Sequence, residues 1–219
     1  MPDLRRHGLR PRTQGPRLAK RRHAALRRLP VARTPPHLPH HVRQAWAGRL
    51  SGWNAIQFSP DPTVDPSWFA SHELSVYGEP GGLDIQAIDR PDAAYDIVIC
   101  SHVLEHVGDD RAALHELLRI AKPDGLLYLA FPDPFREEVT RDWGFPKPEK
   151  HGHWRVYGAD VANRFAAYIP DQPVLAYRGQ DPVTGEWEGA FLLPRSTARR
   201  RWIVERLGSA VSAFSGPEF

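Results

Sequence analysis

The sequence predicts an α/β protein built on an open, mostly parallel sheet with helices on both faces. Three observations carry that expectation. Residues 95–100 (YDIVIC) and 126–131 (LLYLAF) are apolar runs of the kind found in parallel strands buried on both sides. Between them, in residues 110–121, Leu114, Leu117, Leu118 and Ala121 recur at helical spacing. Strand, helix and strand in succession form the unit from which such sheets are assembled.

The other elements follow in chain order. Residues 54–59 (NAIQFS) read as a first strand, closed by Pro60, Asp61 and Pro62. Residues 72–77 (HELSVY) alternate and run into the glycine-bearing turn 78–82, giving a second strand, and 83–88 (LDIQAI) is a third short candidate. Asp109 or Asp110 caps the helix at 110–121, and Pro123-Asp124-Gly125 ends it with a turn. Residues 159–168 read as a second helix, and 174–177 and 188–193 as late strands. There are no internal repeats.

Composition narrows the classes. The chain has 219 residues, 41% apolar and 25% charged, which is ordinary for a globular protein with a sizeable core. No window approaches the ~18 consecutive apolar residues of a membrane span, and no apolar segment opens the chain as a secretory signal would. The single cysteine, Cys100, excludes an internal disulfide framework and a cysteine-based zinc cluster. A cytoplasmic location is expected.

Charge divides the chain in two. Residues 1–49 hold 13 Lys or Arg and one acid, Asp3, whereas the remaining residues hold 16 basic and 25 acidic side chains. Residues 1–41 are rich in Arg, Pro and His and poor in the side chains that build a core, so they are expected to be a disordered basic arm. Residues 18–29 are the one stretch with helical character. No nucleic-acid motif or aromatic interleaving accompanies the charge, so nucleic acid is not an expected partner. Residues 42–219 form the expected folded domain.

Residues 95–125 read YDIVICSHVLEHVGDDRAALHELLRIAKPDG. Tyr95-Asp96, Leu104-Glu105-His106, Leu114, Glu116-Leu117, Arg119 and Lys122-Pro123-Asp124-Gly125 fall in order on a pattern of a known family. The chain resembles the class I S-adenosylmethionine-dependent methyltransferases, in particular the small-molecule enzymes. The resemblance implies a Rossmann-like fold, S-adenosyl-L-methionine as cofactor and a small-molecule methyl acceptor. It places the cofactor at the carboxyl edge of the sheet, near Ser59, Asp84, Ile85, Ser101 and His102, with Asp84 as the acid beside the adenine amino group. That edge is where open α/β sheets bind ligands.

Two departures stand beside it. The family's first loop is acidic and glycine-rich, because a Cβ there would obstruct close backbone approach. Here the loop reads PDPTVDP. The second-strand acid that would hold ribose has no clean counterpart either. Farther on, His153, Arg155 and Tyr157 match a His-x-Arg-x-(Tyr/Phe) stretch of related methyltransferases. Alternate residues of an extended segment share a side, so these three are expected to line a pocket, with Arg155 and Tyr157 orienting the acceptor. His102 or His153 is the expected proton acceptor.

Two other chemistries compete for the same residues. His102-Val103-Leu104-Glu105-His106 is a literal H-x-x-E-H, a zinc-hydrolase motif when it lies on a helix. Gly108-Asp109-Asp110 interrupts the helix such a site needs, and no metal is expected. A methyltransferase fold without catalysis is the nearer rival, and the altered first loop is its signal.

Overall fold

The computed structural model of the chain describes residues 38–132, 135–185 and 187–214. In order these form α1 (His40–Trp46), β1 (Asn54–Phe58), β2 (Ser71–Ser75), β3 (Tyr95–Ser101), α2 (Asp110–Ile120) and β4 (Ala121–Ala130). Then follow β5 (Arg141–Lys147), β6 (His153–Val156), α3 (Val161–Tyr168), β7 (Val174–Gln180), β8 (Trp187–Pro194), α4 (Thr197–Leu207) and β9 (Val211–Phe214). Seven strands make one sheet in the order β2-β1-β3-β4-β8-β7-β9, while β5 and β6 pair separately. The pairs β2-β1, β1-β3 and β3-β4 are parallel. Antiparallel pairing reverses β8 and β9 against the other five.

Alternation along the strands builds a core on each face. Val98, Cys100, Leu127 and Leu129 point to the side covered by α2 and α3, where Leu114, Leu117 and Phe165 pack. Ile97, Ile99, Leu126 and Tyr128 point to the other side, beneath α1 and α4, with Trp46 and Ile203. Strands β3 and β4 are therefore covered twice, which is why their sequences carry no polar alternation.

The motif residues that do not touch a ligand tie this frame together. Asp96 Oδ2 accepts from Lys122 Nζ at 2.8 Å and from the Asn54 backbone N–H at 2.8 Å, joining β1, β3 and β4 at their amino ends. Arg119 donates to both oxygens of Glu116 and to the carbonyls of Ile88 and Arg90, pinning the loop before β3 onto α2.

Several expectations shift. Residues 83–88 are not a strand. Leu83 N–H goes to Ser75 Oγ, Gln86 N–H to Asp84 Oδ1 and Ile88 N–H to Glu116, so side chains take the donors that a sheet ladder would use. β4 begins at once after α2: Ala121 pairs with Tyr95 and Leu126 with Ile97, so Lys122–Gly125 bulge out as the turn that the sequence marks. The arm's expected limit at residue 41 is too late. Leu38 is fully buried, and the His40 N–H donates to Glu188 Oε2 at 2.9 Å, because α1 packs its Val42 and Trp46 into the second core. The expected helical stretch at 18–29 lies outside the described residues.

Two features shape the edge where a ligand would sit. The connection from β1 to β2 contains a short 3-10 turn at Pro66–Trp68, capped by Asp65, and no α-helix. The β5-β6 ribbon, which the sequence hides in a proline-rich stretch, lies against the turn that follows β3.

Candidate functional site

The chain leaves β1 toward β2 on one side, and β3 lies on the other, so the strand order reverses between β1 and β3. A crevice opens at such a reversal, outside the carboxyl ends of the strands. Ser59, Ser101 and His102 stand there. Ser59 has φ of 72° and His102 of 55°, a left-handed conformation that non-glycine residues adopt rarely and at sharp turns. Ser59 thus takes the glycine-like backbone turn without a glycine, and its N–H donates to the Ser75 carbonyl at 3.0 Å. Ser101 is completely buried and its hydroxyl has no hydrogen-bond partner among the described residues.

Asp84 holds the loop after β2. Its Oδ1 accepts from the Gln86 N–H at 2.9 Å, and Gln86 Oε1 accepts in turn from the Asp109 N–H at 3.0 Å. Its other oxygen makes only a 3.5 Å contact to Gln86. Ile85, expected beside the cofactor, is buried with Leu83 and Ile88.

The turn after β3 is a 3-10 segment, Leu104–His106, and not an α-helix. The H-x-x-E-H residues therefore lack the i, i+4 helical geometry of the zinc hydrolases, which corrects that alternative. Glu105 is 1% exposed, and beyond its own backbone N–H neither carboxyl oxygen has a hydrogen-bond partner among the described residues. Burial pushes its carboxyl up to about 8. Burial lowers the imidazoles of His106 and His153 to about 4, with help from neighbouring His102 and His151 for the first and from His106, His151 and Lys150 for the second. Both rings are neutral at pH 7. They meet edge to face, with centroids 4.4 Å apart. Cys100 lies directly before this edge, and burial holds its thiol protonated and inert.

Arg155 and Tyr157 do not do what their spacing suggests. Arg155 is 2% exposed. It donates to the carbonyls of Val107 at 2.7 Å, Gly108 at 2.9 Å and Leu104 at 3.4 Å, and to Asp142 Oδ2 at 2.8 Å. Tyr157 is equally buried and its hydroxyl donates to Asp110 Oδ2 at 3.0 Å. Asp110 also accepts from Arg164 and Tyr168. These groups are spent on holding β6, α2, α3 and the 104–108 turn together, and the expected acceptor contacts are not available to them. Sequence reasoning placed all three of His153, Arg155 and Tyr157 on one side of an extended segment. Arg155 and Tyr157 instead share a buried network that required the unforeseen pairing of β5 with β6, since Asp142 stands opposite Arg155 in that ribbon.

Two surface concavities lie elsewhere. One runs between His115, Leu118, Tyr168 and Gln172, the other between α1 and α4 at Gln44, Arg49 and Glu205. Neither reaches Ser59, Asp84, Ser101 or His102.

A strand order that reverses between β1 and β3, with antiparallel β8 inserted between β4 and β7, defines the class I methyltransferase architecture. The chain belongs to the methyltransferase-domain family, whose family model matches residues 36–168. S-adenosylmethionine is the cofactor of this class of enzyme. The left-handed turn at Ser59 and the orphaned buried hydroxyl of Ser101 at the strand-order reversal fit such a group. No curated protein matches the sequence significantly.

Among solved structures, an S-adenosylmethionine-dependent methyltransferase from Aquifex aeolicus is 14% identical over 72% of this chain and 89% of its own, with a TM-score of 0.44. The Burkholderia thailandensis 1,6-didemethyltoxoflavin N1-methyltransferase, solved with 1,6-didemethyltoxoflavin and S-adenosylhomocysteine, is 15% identical over 71% and 78% at the same TM-score. The alignment with the cyclase SpnF, at 16% identity and a TM-score of 0.30, spans 40% of this chain and 42% of that one.

Proposed function

We propose that this protein is an active methyltransferase that methylates a small-molecule acceptor at the carboxyl edge of β1 and β3. The observation that carries the reading is the buried Ser101 hydroxyl, without a partner, at the strand-order reversal. An unsatisfied buried polar group costs about 1–3 kcal/mol, so its presence at a binding edge is accounted for by a ligand that satisfies it.

S-adenosylmethionine supplies, when bound, an electrophilic methyl group on a sulfonium. In this reading Ser59 and Ser101 bind the cofactor's polar groups, and the weakly held Oδ2 of Asp84 accepts from its adenine amino group. Displacement at a methyl is governed by approach along one line, so the protein's main contribution is positioning. His102, at the strand end beside Ser101, takes the acceptor's proton where the acceptor is a hydroxyl or ammonium. His153 is the less suited of the two expected bases, because its ring is held neutral against His106 with a weakened affinity for a proton. A cytoplasmic enzyme is proposed from the single unpaired cysteine, and no described helix is long and apolar enough to cross a membrane.

The second reading, a methyltransferase fold that no longer transfers methyl groups, is favoured by the β1–β2 connection. Pro60 and Pro62 remove N–H donors there, and no helix N-terminus is present to receive an anionic group. Calorimetric titration with S-adenosylhomocysteine separates the two. Saturable heat at micromolar cofactor, weakened in Ser101→Ala, supports the enzyme. An absence of heat up to millimolar concentration establishes the second reading.

A further inference from the structure

We propose that Glu105, His106 and His153 form a binding site for one divalent transition-metal ion, bridging the turn after β3 to the β5-β6 ribbon. The ligand atoms of the three side chains lie within 4.8 Å of one another. Two are imidazole nitrogens and one is a carboxylate oxygen, brought together from separate elements: Glu105 and His106 from the 3-10 turn, His153 from β6. The sequence motif had suggested His102 as the second histidine. The fold chooses His153.

The independent observation is the state of Glu105. Its carboxyl group is buried, and beyond its own backbone N–H neither oxygen has a hydrogen-bond partner among the described residues. A buried carboxyl with so few partners stays protonated, and it ionises only when it is paired, hydrogen-bonded or bound to metal. Arg155 is the nearby cation, but its donors go to the carbonyls of Leu104, Val107 and Gly108 and to Asp142. A cation with no donors of its own, shared with two nitrogen lone pairs, satisfies the carboxylate where a guanidinium has not.

The donor set selects the ion. Two imidazoles and one carboxylate suit zinc, cobalt, nickel or ferrous iron, whereas calcium and magnesium prefer sets made wholly of oxygen. Ligands at about 2.1 Å from a tetrahedral ion stand about 3.4 Å apart, so modest side-chain rotation closes the cluster. Three protein ligands leave a fourth position open to water or another small ligand. His106 and His153 are only half-buried, which gives an ion a route in from solvent. The proposal concerns binding and is independent of whether methyl transfer occurs.

The test uses the full chain, stripped with chelator and dialysed, then titrated with Co2+ and followed by visible absorption and calorimetry. The expected result is one equivalent bound, with ligand-field bands that Zn2+ bleaches by displacement. Glu105→Gln and His153→Gln should each weaken binding by about tenfold or more, since changes even beyond the ligands have effects of that size. His115→Gln, on α2 and outside the cluster, should bind as the parent does. Should His153→Gln fail to fold, Glu105→Gln alone decides. Absence of saturable binding overturns the proposal. So does binding that persists unchanged in the variants that fold, which would be adventitious capture by other histidines.

Discussion

Arg155 donates from Nη1 to the carbonyl oxygen of Val107 at 2.7 Å and, through Nε, to Asp142 at 2.8 Å. One guanidinium thereby fastens the two-stranded ribbon to the turn that carries Glu105 and His106. Its planar fork serves three carbonyls and a carboxylate at once, a geometry that an ammonium group does not reproduce.

Arg155→Ala should therefore destabilise the protein by about 3–5 kcal/mol, the range for removing one partner from a buried ion pair. Arg155→Lys should recover only a small part. Urea midpoints read at constant slope measure this. If Arg155→Ala left stability within about 0.5 kcal/mol of the parent, the size of an ordinary surface change, Arg155 would not be a structural clamp.

Asp84 Oδ2 is held only by a 3.5 Å contact from Gln86 Nε2, whereas Oδ1 takes the 2.9 Å bond from the Gln86 N–H. Asp84→Ala should weaken S-adenosylhomocysteine by about five- to tenfold, the equivalent of one lost hydrogen bond, while the melting temperature hardly moves. Unchanged affinity would remove Asp84 from the adenine pocket without touching the fold assignment.

Ser101→Ala separates stability from binding more sharply. The hydroxyl has no hydrogen-bond partner among the described residues, so its loss should leave stability equal or slightly higher. Cofactor affinity should fall by roughly tenfold. A variant that melts several degrees lower and binds normally would give the hydroxyl a structural role instead.

Glu116 links stability to pH. Hydrogen bonds from Arg119 hold its carboxyl below the ordinary 4.5, against burial, and the Ile88 N–H adds to the effect. A lowered folded-state value means that the unfolded chain binds the proton first as pH falls. The contribution is thus complete above about 4.5 and is lost progressively below it. Glu116→Gln should cost about 1–2 kcal/mol at pH 7, and the gap to the parent should narrow on acidification. Thermal melts at pH 7 and pH 3 check both points, and an equal gap at the two would rule out the charge as the cause.

The folded part begins before Val42. Deleting residues 1–41 removes Leu38, whose complete burial is worth about 1.5–3 kcal/mol, together with the bond from His40 to Glu188. The loss corresponds to a fall of roughly 3–12 °C in Tm at about 2–4 °C per kcal/mol. A chain beginning at Pro36 should melt like the full one. Equal melting of both truncations would show that Leu38 contributes nothing to the body.

The sheet was legible in the sequence because its signals are local. The apolar run at 97–100 has to be covered on both faces, and Leu114, Leu117 and Leu118 at helical spacing in α2 supply part of the cover. The methyltransferase resemblance lay in the same stretch, where Asp96 pairs with Lys122 and Glu116 with Arg119. The tertiary structure decided the rest. Nothing local in a proline-rich stretch announces that Asp142 will face Arg155 across a ribbon. Burial and partner choice depend on what the remainder of the chain brings alongside, so a spacing that put His153, Arg155 and Tyr157 on one side could not distinguish a pocket wall from a buried clamp. The same reason turned an H-x-x-E-H motif into a cluster with His153: a motif fixes which residues are neighbours in sequence, and only the packing of the β5-β6 ribbon against the turn after β3 fixes which side chains surround the buried carboxylate of Glu105.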